Sequence, residues 1–139
     1  MKKTLLAAVL FFVSSLSAGA TTIVSDPAFD STGRDFTQIT GSYDTQNVYF
    51  TASFRSGTLS RDSLGFSFYL NTDMNSSTGS GGIGIDYSIF FHQPLGTTAT
   101  GAYVTNTVSG EQSGMAPVDF ATDFLSVVVP LAWLGNDTV

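Results

Sequence analysis

Cysteine is absent from the 139-residue sequence. That excludes disulfides, thiolate metal sites, iron–sulfur clusters and a cysteine nucleophile. Lysine occurs only at Lys2 and Lys3, while histidine and glutamate occur once each, as His92 and Glu111. The remaining cations are Arg34, Arg55 and Arg61, set against ten aspartates. A chain this acidic cannot release counterions from a phosphate backbone, which argues against nucleic acid as a partner. Anionic membrane surfaces are disfavoured for the same reason. Charged residues make up 12% of the chain, about half the usual share, and serine and threonine fill the difference. No stretch beyond the first twenty residues keeps a helical period.

Those first twenty residues have a pattern of their own. Lys2 and Lys3 precede an unbroken apolar run from Leu5 to Val13, and Ala18-Gly19-Ala20 fits a small-residue cleavage site. The run is shorter than the roughly 20 residues needed to span a bilayer. Residues 1–20 are therefore expected to be a signal peptide, and the product to be secreted, periplasmic or held at the cell surface. No membrane insertion is expected after cleavage. Residues 21–139 then form a single domain, large enough for one core without staples. Without the two leader lysines, three arginines face ten aspartates and Glu111, a net charge of −8.

The mature chain alternates with period two between turn-forming clusters. Val48, Phe50, Ala52 and Phe54 fall on one side, and Tyr49, Thr51, Ser53 and Arg55 on the other. Leu64, Phe66, Phe68 and Leu70 repeat the pattern, as do Ile83, Ile85, Tyr87, Ile89 and Phe91. Further strands are expected over 36–42, 99–107, 116–120 and 123–129, with Pro130 ending the last and a short helical turn at 131–134 before Gly135. The expected fold is all-β: an antiparallel β-sandwich of about seven strands, jelly-roll or immunoglobulin-like. The sequence stops at Asn136-Asp137-Thr138-Val139, where a sandwich would return with another strand. The expectation is either a fold that closes without that strand or a piece of a longer protein lacking it.

Oxygen-bearing side chains recur at alternate positions in Asn71-Thr72-Asp73-Met74-Asn75-Ser76-Ser77. Calcium takes 6–8 oxygen ligands, and short loops supply them in this alternating way. Asn71, Asp73, Asn75 and, across the following turn, Asp86 are the candidate ligands. The competing reading is an Asx-rich turn whose side chains bond their own backbone. A second acidic segment, Asp26, Asp30 and Asp35, is either another oxygen cluster or a solvated lead-in to the first strand.

Catalytic chemistry has few candidates. Along an extended strand, Ser88 and Asp86 lie about 13 and 20 Å from His92, too far apart for a triad. The glycines at 79, 81 and 82 precede a strand rather than a helix, so they do not form a phosphate cradle. An enzyme is not expected. Tyr49, Tyr69, Phe90 and Tyr103 fall opposite the core-facing residues of their strands. Exposed aromatics flanked by polar residues suit sugar rings, whose faces are apolar and whose edges are polar.

With these residues set out, the chain resembles secreted β-sandwiches similar to family 9 carbohydrate-binding modules and DOMON-like domains. The resemblance runs through Asp26-Pro27, Asp30 and Asp35, then Val48-Tyr49-Phe50-Thr51 and Leu70-Asn71-Thr72-Asp73-Met74-Asn75 with Thr78-Gly79. It continues in Gly84-Ile85-Asp86-Tyr87 and in Val128 to Gly135. It implies a jelly-roll-like sandwich binding polysaccharide or a cell-surface glycan, with Asp73, Asn75 and Asp86 around a structural calcium. Asn71 departs from the pattern, standing where such domains often carry aspartate. The alternative expectation is an envelope or extracellular-matrix protein that self-associates through sheet edges.

Overall fold

The computed structural model describes residues 22–26, 35–59, 66–92 and 101–135. The leader (residues 1–20), Asp30, Arg34, Arg61, Leu64 and residues 136–139 lie outside these, as do the side chains of Thr22, Ile23 and His92. Eight strands are described: β1 (Thr22–Ser25), β2 (Phe36–Tyr43), β3 (Asn47–Phe54), β4 (Phe66–Leu70), β5 (Tyr87–His92), β6 (Gly101–Asn106), β7 (Gln112–Phe120) and β8 (Phe124–Pro130). A single 3-10 turn, Leu131–Trp133, follows β8. Among the described residues there is no helix long and apolar enough to cross a membrane.

The alternation read from the sequence sorts the side chains as expected. Val48, Phe50, Ala52 and Phe54 are buried, while Tyr49 between them is exposed. Tyr87, Ile89 and Phe91 do the same on β5, and Leu125, Val127 and Val129 on β8. Two boundaries differ from expectation. The run that begins at Ile83 does not start a strand: Ile83 is exposed, Gly84 has φ +75°, and Ser80 and Ile85 bridge across residues 81–84. A left-handed glycine reverses the chain even where the apolar spacing still has period two. β7 begins earlier than expected, at Gln112, because its first residues are polar or glycine and carry no alternation signal.

All eight strands join one antiparallel sheet, ordered β1-β2-β3-β8-β7-β6-β5-β4 and curled into a half-barrel. β3 and β4 stand five steps apart in that order, about 24 Å across a flat sheet. Their Phe50 and Phe68 rings nevertheless stack with centroids 5.1 Å apart. Phe54 on β3 likewise meets Phe66 on β4 edge-on at 5.9 Å. The sheet therefore folds back on its own apolar face, and one aromatic core fills the bend.

β7 is the hinge of this arrangement. Gln112 to Pro117 pair with β6, and Val118 to Phe120 pair with β8. Pro117, which has no N–H to give to a ladder, stands where one partner gives way to the other. On the inner face Gly114 admits the Trp133 ring: a Cβ there would lie 2.6 Å from it. The turn after β8 is thereby held against β7.

Asp35 corrects the reading of the acidic N-terminal segment as a solvated lead-in, while Asp30 of the alternative oxygen cluster lies outside the described residues. It is fully buried rather than solvated, and its Oδ2 accepts the Arg55 Nε–H at 3.0 Å. The backbone tightens the pair, since Arg55 N–H donates to the Asp35 carbonyl at 2.7 Å. Removing one partner of a buried ion pair strands the other charge. Arg55→Met is expected to lower unfolding free energy by about 2 kcal/mol, below the usual figure for a fully buried pair because Arg55 keeps partial access to water. Urea titration measures this, and a loss under roughly 0.5 kcal/mol would remove the pair from the account.

Candidate functional site

The loop between β4 and β5 carries the four expected cation ligands, and the structure divides them. Asp73 and Asn75 are exposed and build the loop itself. Asp73 Oδ1 accepts the Asn75 N–H at 2.8 Å, and its Oδ2 accepts the Thr78 hydroxyl at 2.7 Å. Asn75 Oδ1 accepts the Ser77 N–H at 3.0 Å. The Thr78 hydroxyl, with help from the Asn75 N–H, holds the Asp73 carboxyl below its ordinary pKa. These are Asx turns of the kind that short polar side chains form with their own backbone.

Asn71 and Asp86 lie beneath, at the two mouths of the loop beyond the Leu70–Tyr87 pair. Asp86 is held from three sides. Its Oδ2 accepts the Thr72 N–H at 2.7 Å and the Thr72 hydroxyl at 3.2 Å, its N–H donates to Leu70 O, and its carbonyl accepts from Thr107 N. Asn71 is buried, and its Oδ1 has no hydrogen-bond partner among the described residues. Its amide nitrogen packs on Gly84, where a Cβ would lie 2.5 Å away. Among the described residues no group of three or more Asp, Glu or His side chains is placed to hold a metal. A buried oxygen without a donor is nevertheless the kind of group that accepts a cation. Asn71 and Asp86 are thus the two of the four expected ligands that lie beneath the loop, while Asp73 and Asn75 build it.

The aromatic candidates also divide. Tyr49 is exposed on β3, and β8, β7 and β6 separate it from Phe90 on β5. Its hydroxyl donates to Asp44 Oδ2 at 2.6 Å. Asp44 Oδ1 caps the β2–β3 turn by accepting the N–H groups of Gln46 and Asn47, both at 2.7 Å. The Tyr49 bond, with the two turn N–H groups, lowers the Asp44 pKa from 3.8, and the same bond raises the Tyr49 pKa.

A depressed carboxyl stabilises the folded state above its unfolded pKa and stops doing so as pH falls through the folded one. Asp44 and Asp73 both act in this direction. The melting temperature is therefore expected to fall as pH drops below about 4, and Asp44→Asn is expected to flatten part of that fall. An identical pH profile in the variant would show that the turn contributes nothing.

Phe90 and Tyr69, by contrast, share one surface. Phe90 stands opposite Tyr103 on β6, and Tyr103 stands opposite Met115 on β7. Tyr69 is a diagonal neighbour, since it pairs with Ser88, two residues before Phe90. Phe90 is 41% and Met115 55% exposed, so the row faces solvent. Met115 reaches across to β6, where a Cβ on Gly101 would touch its Cγ and Sδ at 2.8 Å. No family model, curated protein or solved structure matches this chain. Two places stand out on the described surface, the loop over Asn71 and the aromatic row. Met115 was not among the residues singled out in the sequence, because only the β6–β7 register brings it beside Tyr103.

Proposed function

We propose that this chain is a non-catalytic, extracytoplasmic module that binds carbohydrate through the outer face of β4 to β7. The observation that carries the reading is the row Phe90, Tyr103 and Met115, three successive cross-strand neighbours presenting apolar surface to water. Contiguous exposed apolar surface on a soluble domain commonly marks a binding site. Serines 67 and 88 and Thr105 lie beside the row and supply hydroxyls for the polar edges of a sugar. In this reading the curled sheet is a β-sandwich whose two halves meet through Phe50 and Phe68. Calcium is its structural ion, held by Asn71 and Asp86, and its chemical contribution is to tie the loop to the ends of β4 and β5.

Affinity electrophoresis against a panel of soluble polysaccharides tests the sugar. Phe90→Ala is expected to weaken retardation roughly tenfold, equivalent to about 1.4 kcal/mol, while leaving stability within about 0.5 kcal/mol. Absence of retardation by every polysaccharide, with and without calcium, would end the reading. Calcium is tested by melting: a ligand at about 100 times its dissociation constant adds roughly 2.7 kcal/mol. An unchanged midpoint between chelator and millimolar calcium removes the ion.

One observation favours a second reading, self-association through a sheet edge. β4 is last in the order of the described strands and carries no charge or proline, the usual guards of an edge. A strictly monomeric product by light scattering at high concentration would count against it.

A further inference from the structure

We propose that Asn75 is an acceptor for N-linked glycosylation, read by a transferase that also requires the acidic residue two positions before it. This rests on the extracytoplasmic part of the preceding reading and not on what the outer face binds.

Of the five asparagines in the sequence, Asn75 and Asn136 open an Asn-x-Ser or Asn-x-Thr triplet. That triplet, without proline at its centre, is the acceptor signal for N-glycosylation and belongs on a surface loop of an exported chain. Asp73-Met74-Asn75-Ser76-Ser77 also carries a carboxylate two residues ahead of the asparagine. Leu134 holds that place before Asn136-Asp137-Thr138. A carboxylate there gives a transferase a charge-assisted hold on the segment.

The fold puts the signal within reach of an enzyme. Every residue from Asp73 to Ile83 is exposed. Asn75 Oδ1 accepts the Ser77 N–H, and no group among the described residues engages its Nδ2, the atom that takes the sugar. The bonds that shape residues 73–78 close within the segment. Asp73 accepts from Asn75 N–H and the Thr78 hydroxyl, and the Asn75 carbonyl accepts from Thr78 N–H and the same hydroxyl. Exposed local bonds of this kind open at little cost. The base of the loop is held separately, by the Ser80–Ile85 bridge and by the bonds of Asp86 to Thr72 and Leu70. The segment can therefore enter an active site while β4 and β5 stay paired.

The flanking side chains point the same way. Met74 and Ile83 are large, apolar and exposed. Met74 adjoins Asn75 in the chain, and Ile83 adjoins Gly84, which lies against the Asn75 carbonyl. A bulky hydrophilic glycan on Asn75 shields both from other molecules.

In the reaction the Asn75 carboxamide nitrogen attacks the anomeric carbon of an oligosaccharide carried on a lipid pyrophosphate. The carbon–nitrogen bond forms as the carbon–oxygen bond to the pyrophosphate breaks. The lipid pyrophosphate leaves with that electron pair, and one amide proton passes to a base of the transferase. Oδ1 takes no part, so the product keeps its bond to the Ser77 N–H.

The test expresses the full-length chain in a Gram-negative host that makes such a lipid-linked oligosaccharide, with and without the acid-requiring transferase. Intact mass and peptide mapping are read on the exported product. The proposal predicts a glycan on Asn75 only when the transferase is present. It predicts complete loss in Asn75→Gln and Ser77→Ala, and no change in Asn136→Gln. Asp73→Asn keeps an oxygen for the turn but removes the charge, and is expected to abolish modification, whereas Asp73→Glu is expected to retain it. Four results would overturn the proposal and leave the extracytoplasmic reading standing: an unmodified Asn75 on a chain that has lost its leader, conversion of Asn75 to aspartate alone, a glycan on Asn136 instead, or a glycan that persists in Asp73→Asn. A product that keeps its leader and stays in the cytosol would overturn both.

Discussion

Phe50→Ala is expected to lower the unfolding free energy by about 3–5 kcal/mol, a large part of the 5–15 kcal/mol typical of a domain. Phe50 is 2% exposed and stacks on Phe68 with an interplanar angle of 28°. Two effects add when the ring is removed: its transfer free energy is lost, and a cavity is left that the walls cannot close. Collapse is resisted here because β3 is pinned between β2 and β8, and β4 is pinned to β5. The loss also reaches beyond one contact. Among the described residues, backbone pairing joins the two halves of the sheet only through Val118, Asp119 and Phe120 of β7 with β8, so much of their association rests on rings such as Phe50 and Phe68. Phe68→Ala should cost a similar amount, and the double variant less than the sum, since both remove one contact. A loss below about 1 kcal/mol for Phe50→Ala, measured by denaturant titration, would contradict the folded-back core.

Gly84→Ala is expected to destabilise by about 2–4 kcal/mol, combining a left-handed backbone with an overpacked site. Gly84 has φ +75°, and a Cβ would lie 2.4 Å from the Asn75 carbonyl oxygen and 2.8 Å from Ser76 Cα. Most of these neighbours are backbone, so the whole loop has to shift, moving away from Asn71. Gly82 is the internal control. Its φ is +67° but nothing lies within 4 Å of a Cβ, so Gly82→Ala should cost only about 1 kcal/mol. Thermal melts of the two variants separate backbone strain from contact. Equal losses would mean that the close approach of Gly84 to Asn71 and Asn75 has no energetic weight.

Much of the sheet was legible because it depends on one strong local signal. β3 could be placed from Val48, Phe50, Ala52 and Phe54 alone, since one buried face and one wet face leave a period-two trace. β1 left no such trace, being four residues long. The false start at Ile83 shows the limit of the same signal, because period two cannot register that Gly84 takes a left-handed turn. The strand order was not legible at all. Pairing partners such as Tyr103 and Met115 are set by register across the sheet, which no local window contains.

The candidate site divides along the same line. Asp73 and Asn75 were identified by spacing, but spacing does not show which of their oxygens accept the N–H and O–H groups of their own loop. The burial of Asn71 and its unpartnered Oδ1 depend on the loop folding over it through Gly84. Tyr49 separates from Phe90 and Tyr69 because the sheet order interposes three and four strands, although all three residues alternate outward in the sequence.

Chemical-shift mapping of the isotopically labelled protein with a neutral oligosaccharide tests the binding face most directly. The Met115 methyl and the backbone amides of β5 and β6 serve as reporters. The account predicts saturable shifts centred on Phe90, Tyr103 and Met115, with Tyr49 on β3 unmoved. Shifts centred on Tyr49, or none for any neutral oligosaccharide at millimolar concentration, would contradict it.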